Sequence, residues 1–192
     1  SGSCIPLAVI ALDNPVRRGA KETFRYFEEQ RVKVKVISGD NPETVSVVAG
    51  KAGIKDYKDY VDASTLAGRA EIAEAAKRYT VFGRVTPEQK KLLVAAMQND
   101  GHTVAMTGDG VNDIIAMKKA DCSIAMASGS DAASQTSQLV LFDSDFTKMP
   151  SIVAEGRRVV NNIQRSAVLY LVQNIFSLFL AIFSVLLILD YP

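Results

Sequence analysis

The 192-residue chain has no tryptophan, a single histidine (His102) and two cysteines, Cys4 and Cys122. One imidazole cannot build a histidine metal cluster. Two distant cysteines, with no Cys-x-x-Cys pair, indicate neither a disulfide framework nor a zinc site. An excess of either charge is also missing, since 22 Lys+Arg stand against 21 Asp+Glu. A nucleic-acid surface would show a basic excess, so no nucleic-acid partner is expected. There is no internal repeat, and no linker rich in Pro, Gly or Ser beyond the opening Ser1-Gly2-Ser3. With 48% hydrophobic residues, disordered, collagen-like and low-complexity chains are excluded. The length suits one ordinary domain plus a short attachment.

What is there divides sharply. All but one of the charges lie in residues 1–165, and Ser166 to Leu189 carries none. As a helix those positions would extend about 36 Å, enough to cross a hydrocarbon layer of about 30 Å with some tilt. Arg157, Arg158 and Arg165 precede the stretch and Asp190 follows it. The positive-inside rule then predicts residues 1–165 on the cytoplasmic side of a lipid bilayer. A buried helix of a soluble core is the alternative.

The first 145 residues alternate short β-rich runs with amphipathic ones. The runs are Ile5–Leu12, Val32–Ile37, Thr80–Phe82, Thr103–Met106, Ser123–Met126 and Leu139–Phe142. Between them, Ala20, Phe24 and Phe27 recur at helical spacing, and Pro87 opens a run that puts Leu92, Leu93, Ala96 and Met97 on one side. This alternation predicts an α/β fold, a parallel sheet flanked by helices, in which ligands bind at the carboxyl ends of the strands.

Three strand ends carry suitable polar groups. Ser38-Gly39-Asp40-Asn41 follows Val36 and Ile37 and precedes a proline-started helix. Its hydroxyl and glycine amide could bind phosphate oxygens, although Gly-Asp-Asn is also an ordinary turn. In Arg84-Val85-Thr86-Pro87-Glu88-Gln89-Lys90, Thr86 could cap a helix with Pro87 at its first position. Lys90, one turn in, is either a solvated surface lysine or a group that neutralises a transferring phosphoryl. The most specific segment is Met106-Thr107-Gly108-Asp109-Gly110-Val111-Asn112-Asp113. Asp109 and Asp113, four residues apart at a strand-to-helix turn, suit a hard ion such as Mg²⁺, which keeps several waters and bridges to phosphate.

Hydroxyl, lysine and paired aspartates in that order resemble the phosphoryl-transfer half-site of the haloacid dehalogenase superfamily. The wording is closer still to the P-type cation-transporting ATPases, whose phosphorylation domain the chain resembles from about Leu7 onward. The matching text is Val36–Thr44 (VISGDNPET), Phe82–Lys90 (FGRVTPEQK) and Met106–Lys119 (MTGDGVNDIIAMKK). It continues through Ile124-Ala125-Met126, Asp143–Phe146 and Glu155-Gly156-Arg157 to Asn161-Asn162, and leads into a membrane span as in that family's fifth transmembrane helix.

The resemblance implies a Rossmann-like three-layer parallel sheet, incomplete, followed by a long helix entering the membrane. It divides the chain into a partial phosphorylation domain (1–145), a cytoplasmic stalk helix (146–165) and a transmembrane helix (166–189). Ser38 stands where the family usually has threonine and would bind the phosphoryl group with Gly39. Asp40, Arg84 and Asn112 match positions that approach bound nucleotide or phosphate. Lys90 would stabilise developing charge, and Asp109 would ligate Mg²⁺ with Asp113 supporting it. ATP and Mg²⁺ are the implied cofactors, and the rest of the same pump, including its nucleotide-binding segment, is the implied partner. A plasma-membrane location is expected, with tilting of the catalytic domain transmitted through the stalk to the span.

Two departures matter. The family's Asp-Lys-Thr-Gly-Thr, whose aspartate takes the phosphate from ATP, is absent, and the chain contains no Asp-Lys pair. In the family that motif lies upstream on a central strand, so this chain alone is expected to be inactive. The family's Asp-Pro-x-Arg hinge reads Asn14-Pro15-Val16-Arg17, with Asp13 next door. Leu139–Thr147 (LVLFDSDFT) also imitates a haloacid dehalogenase nucleophile strand, so a permuted phosphatase with Asp143 as nucleophile and Asp145 as acid is an alternative.

Within the span, Tyr170, Gln173, Asn174, Ser177, Ala181 and Ser184 recur at three- and four-residue steps. Such a stripe faces either an ion path or neighbouring helices. Asn174 falls where animal calcium pumps place a calcium-binding asparagine, which leans the cargo toward calcium. Their glutamate three residues on is here Ser177, which points to fewer ions or another cation. Gln173 joins these two as a candidate path residue.

Overall fold

The computed structural model describes residues 15–187. The expected strand Ile5–Leu12, Asn14 of the hinge and the last two positions of the expected span lie outside the described residues. The chain divides into two compact units between Thr147 and Lys148.

The first unit alternates helix and strand: α1 (Ala20–Glu29), β1 (Val36–Ile37), α2 (Pro42–Lys51), β2 (Tyr60–Asp62), α3 (Arg69–Arg78), β3 (Val81–Gly83), α4 (Pro87–Asn99), β4 (Ala105–Gly108), α5 (Ile114–Lys119), β5 (Cys122–Met126), α6 (Asp131–Thr136) and β6 (Leu139–Leu141). All strand pairs are parallel, the α/β class expected. The sheet comes in two pieces, ordered β1-β3-β2 and β4-β5-β6. Among the described residues, no strand pairs with the outer edge of β1 or of β4.

Local chemistry explains the boundaries. The run Val32–Ile37 pairs only at Val36 and Ile37, because its start belongs to the exit of α1. Arg31 is left-handed (φ 60°) and the Val32 N–H donates to the Phe27 carbonyl at 2.9 Å. Pairing in β4 starts two residues later than the run Thr103–Met106, since the Val104 N–H is taken at 2.7 Å by the Asp121 carboxylate. That amide, followed by the Gln98 side chain, holds the Asp121 carboxyl below the usual carboxylate range. Strand β2 escaped the sequence reading. Its three residues follow Asp56, Lys58 and Asp59 and form no apolar run.

Helix α4 organises the core. Its Thr86 cap is reciprocal: Gln89 N–H donates to the Thr86 hydroxyl at 3.3 Å and Thr86 N–H to the Gln89 side chain at 3.0 Å, with Pro87 at the first position. Leu93 packs in a cluster with Phe82, Ile72 and Val85, while its neighbour Val94 packs in a second with Met106, Ala116 and Ala125. One helix thus buries two adjacent residues against two different sheets.

In the second unit, the described residues from Met149 onward form one helix, α7 (Met149–Leu187), of 39 residues. At 1.5 Å per residue it extends about 58 Å. Among the described residues it is the one helix long and apolar enough to cross a membrane. Leu169, Phe176 and Phe183 are exposed, unlike the side chains of a soluble core helix. Because the helix is continuous, Tyr170, Gln173, Asn174, Ser177, Ala181 and Ser184 fall within an arc of about 100°.

Leu93 tests the core. Leu93→Ala should lower unfolding stability by about 2–5 kcal/mol, read from chemical denaturation. A loss under about 0.5 kcal/mol, the range of a surface substitution, would show that α4 is not packed as described.

Candidate functional site

The Ser38 loop leaves β1 under close control. The Ser38 hydroxyl accepts from the Asp40 N–H and donates to the Asp40 carboxylate, both at 3.2 Å. Asn41 caps α2, its side chain accepting from Glu43 N–H at 2.9 Å. From the end of β3, the Arg84 N–H donates to the Asp40 carbonyl at 2.8 Å, and the Val85 N–H to the Ser38 carbonyl at 3.0 Å. Ser38, Gly39, Asp40 and Arg84 therefore form one cluster. A Cβ at Gly39 would meet nothing within 4 Å, so this exposed glycine leaves room beside its amide.

A second cluster gathers where β4 gives way to α5. Lys90 reaches from the first turn of α4 and donates to Asp113 Oδ1 at 2.6 Å, both side chains being 12% exposed. Asp113 Oδ2 accepts the Gly110 N–H at 3.3 Å. The pair is largely desolvated, so each charge depends on the other. Gly108 is required by close approach, since a Cβ there would lie 2.5 Å from the Asp113 Cβ and 2.9 Å from the Met117 sulfur. Asp109 and Asn112 are exposed at the same turn. Ser38, Arg84 and Asp109 each follow the carboxyl end of a parallel strand, where such folds bind ligands.

Residues that sequence reasoning missed complete this frame. The loop after β5 lies on Asp109: Ser130 N–H donates to the Asp109 carbonyl at 2.7 Å, and a Cβ on Gly129 would sit 2.3 Å from that oxygen. The signal available was Ser128-Gly129-Ser130 directly after an apolar strand. At the end of β2, Asp62 accepts from Arg84 Nη1 at 2.7 Å. Ser64 and then Arg84 hold the Asp62 carboxyl below the usual carboxylate range.

The chemistry of the donor set bears on a metal ion. Among the described residues no three His, Cys, Asp or Glu side chains gather as a ligand group. Magnesium does not need three, since it keeps several waters and is commonly held by one or two carboxylates plus substrate phosphate. Exposed Asp109, at the turn that also carries Asp113, fits that requirement.

The Asp143 segment is built as a turn. Ser144 is left-handed (φ 50°), its carbonyl accepts from Arg17 Nη1 at 2.6 Å and its hydroxyl from the Ser128 N–H at 2.8 Å. Asp145 Oδ1 accepts from the Thr147 N–H at 3.0 Å and hydroxyl at 2.7 Å. Strand β6, from which this turn leaves, is separated from β4 by β5. The candidate path residues Gln173, Asn174 and Ser177 lie on α7, in the other unit.

Comparisons with known proteins give the family and the fold of the chain. A family model of the haloacid dehalogenase-like hydrolases matches residues 4–121. The chain is 50% identical over 179 residues to the probable cation-transporting ATPase exp7 of Streptococcus pneumoniae, covering 93% of this chain and 23% of that protein. It is 48% identical over 182 residues to the calcium-transporting ATPase CtpE of Mycobacterium bovis, covering 94% and 23%. Among solved structures, it is similar to a zinc-transporting PIB-type ATPase in its E2.Pi state, with TM-score 0.64 and 26% identity over 93% of this chain and 24% of that one. The chain thus spans about a quarter of the length of these relatives.

The Lys90–Asp113 pair yields a stability test. Lys90→Met and Asp113→Ala should each cost about 2 kcal/mol or more by stranding the partner's charge, whereas the double variant should cost less than the sum by at least about 1 kcal/mol. Strict additivity in chemical unfolding would show that this ion pair does not hold the turn.

Proposed function

The chain belongs to the haloacid dehalogenase-like hydrolase family, and on that premise we propose that it is the C-terminal part of the phosphorylation domain of an ATP-driven cation pump, followed by one membrane helix. The observation that carries the proposal is the Lys90–Asp113 bond at 2.6 Å beside the exposed Asp109 turn. A cation on α4 and the Asp113 carboxylate after β4 are thereby held together at a strand end, beside the turn that carries Asp109, an arrangement suited to phosphoryl transfer.

Each residue has a distinct task on this reading. Ser38, Gly39 and the amides of their loop orient the phosphoryl oxygens, with the open space at Gly39 as support. Lys90 offsets negative charge that develops on the transferring group, and Asp113 fixes the ammonium in place. Asp109, with Asp113 behind it, would hold magnesium, which supplies further positive charge at the phosphate when bound. Asp40, Arg84 and Asn112 approach nucleotide or phosphate. The aspartate that accepts phosphate would come from an upstream strand, a reading compatible with the outer edges of β1 and β4, with which no strand pairs among the described residues.

The proposed domain limits are 1–145 for the partial phosphorylation domain, 146–165 for the stalk and 166–189 for the span, in a plasma-membrane protein with residues 1–165 cytoplasmic. Uninterrupted helix from Met149 to Leu187 supports a stalk that runs into the membrane. The stripe of Gln173, Asn174 and Ser177 lines the proposed cation path. A relative described as calcium-transporting favours calcium as the cargo.

Labelled ATP tests the division of the active site. The chain alone should form no acid-stable, hydroxylamine-sensitive adduct; adding the upstream nucleotide-binding half in trans should restore it. An adduct on the chain alone would overturn the proposal. In the full-length protein, Asp109→Asn should lower phosphoenzyme formation by about two to three orders of magnitude. ATPase assays across Ca²⁺, Mg²⁺, K⁺ and Mn²⁺ should show Ca²⁺ stimulation that Asn174→Ala shifts to higher Ca²⁺. Stimulation unchanged by Asn174→Ala would remove that residue from the path.

A further inference from the structure

Asp62 closes β2 directly beside Gly83, its register partner, and so stands one residue from Arg84 at the same strand end. Its carboxylate is fixed on both oxygens. Oδ1 accepts from the Ser64 amide at 3.0 Å and the Ser64 hydroxyl at 2.6 Å, and Oδ2 accepts from Arg84 Nη1 at 2.7 Å. The short turn that follows Asp62 is itself held by α4, because Gln89 Nε2 donates to the Ala63 carbonyl at 2.7 Å. The same Gln89 completes the Thr86 cap.

Arg84 is unusual in its own right. It is a non-glycine residue in the left-handed region, φ 51°, and its N–H is bonded to the Asp40 carbonyl. Its main chain therefore shapes the Ser38–Asp40 loop while its side chain is held by Asp62. The Arg84 side chain is 52% exposed and that of Asp62 only 24%. Asp62 engages one corner of a guanidinium that has five donors.

We propose that Asp62 is a positioning residue for nucleotide binding, presenting the Arg84 guanidinium in one orientation to the anionic phosphate chain of ATP. A free arginine side chain spreads over many rotamers, and ordering it on binding weakens affinity. A carboxylate anchored by two Ser64 donors orders it beforehand. The inference rests on the reading of Arg84 as a residue that approaches nucleotide.

The test is the ATP dependence of hydrolysis by the full-length protein. Asp62→Asn should raise KM for ATP about three- to tenfold while kcat stays within about twofold. Ser64→Ala keeps the charge but loosens its anchor, and should raise KM less. Arg84→Ala should raise KM at least as much as Asp62→Asn, and the double variant should be no worse than Arg84→Ala alone. KM unchanged or lowered in Asp62→Asn, with KM raised in Arg84→Ala, would overturn the positioning role. Effects that multiply independently in the double variant would overturn it as well. An unchanged KM in folded Arg84→Ala would remove the nucleotide role of Arg84 and this inference with it, whereas the Asp109→Asn result would still judge the pump reading separately.

Discussion

A lysine and an aspartate taken largely out of water hold the two halves of the first unit in register. Lys90 belongs to α4 and Asp113 to the turn after β4, and their bond spans 2.6 Å with both side chains 12% exposed. Separating them would leave two poorly solvated charges, which costs more than breaking a surface ion pair. The pair therefore constrains where α4 starts relative to the Asp109 turn. The tight fit of Gly108 beside Asp113 and the bond from Ser130 to the Asp109 carbonyl then limit where that turn can go.

Packing and site geometry are coupled through α4. Its first turn carries the Thr86 cap, Gln89 and Lys90, and its next turn carries Leu93 and Val94 into two separate clusters. Gln89 reaches the turn after β2 and Lys90 the turn after β4. Hydrophobic burial fixes the helix, and neighbouring residues on that fixed helix reach the turns after β2 and β4. An error in the packing of Leu93 would reach the site by a path of only three residues.

Much of this was legible in the residues. Alternating apolar runs gave the parallel class, and Thr86-Pro87 marked the start of α4 because cap and first-turn chemistry are local. Asp109 and Asp113 were legible as residues of one strand-to-helix turn because they sit four apart in the sequence. Contacts across the chain were not. The Asp62–Arg84 bond joins residues 22 apart, and Asp62 lies at the end of a three-residue strand with no apolar run to announce it. Gly129 was equally silent, since its requirement comes from the Asp109 carbonyl 2.3 Å from where a Cβ would stand. Strand ends moved for the same reason, as at Val104, whose amide is taken by Asp121.

The division of the sheet ties folding to chemistry on the proposed reading. Val36 and Ser38 donate toward β3, so alternation along the strand turns the main-chain groups of Lys35 and Ile37 to the other edge. Val104 accepts from Cys122, which likewise turns Ala105 and Thr107 outward from β4. These outward groups adjoin Ser38 and Gly108, the residues that lead into the two clusters. An upstream strand that paired there would gain about 1 kcal/mol for each ladder bond, and its carboxyl end would arrive beside those clusters. On the proposed reading, an upstream strand that completed the sheet would also deliver the phosphate acceptor. Stability and reactivity would be completed in one step, and a chain lacking that strand would keep the cradle without the group that reacts in it.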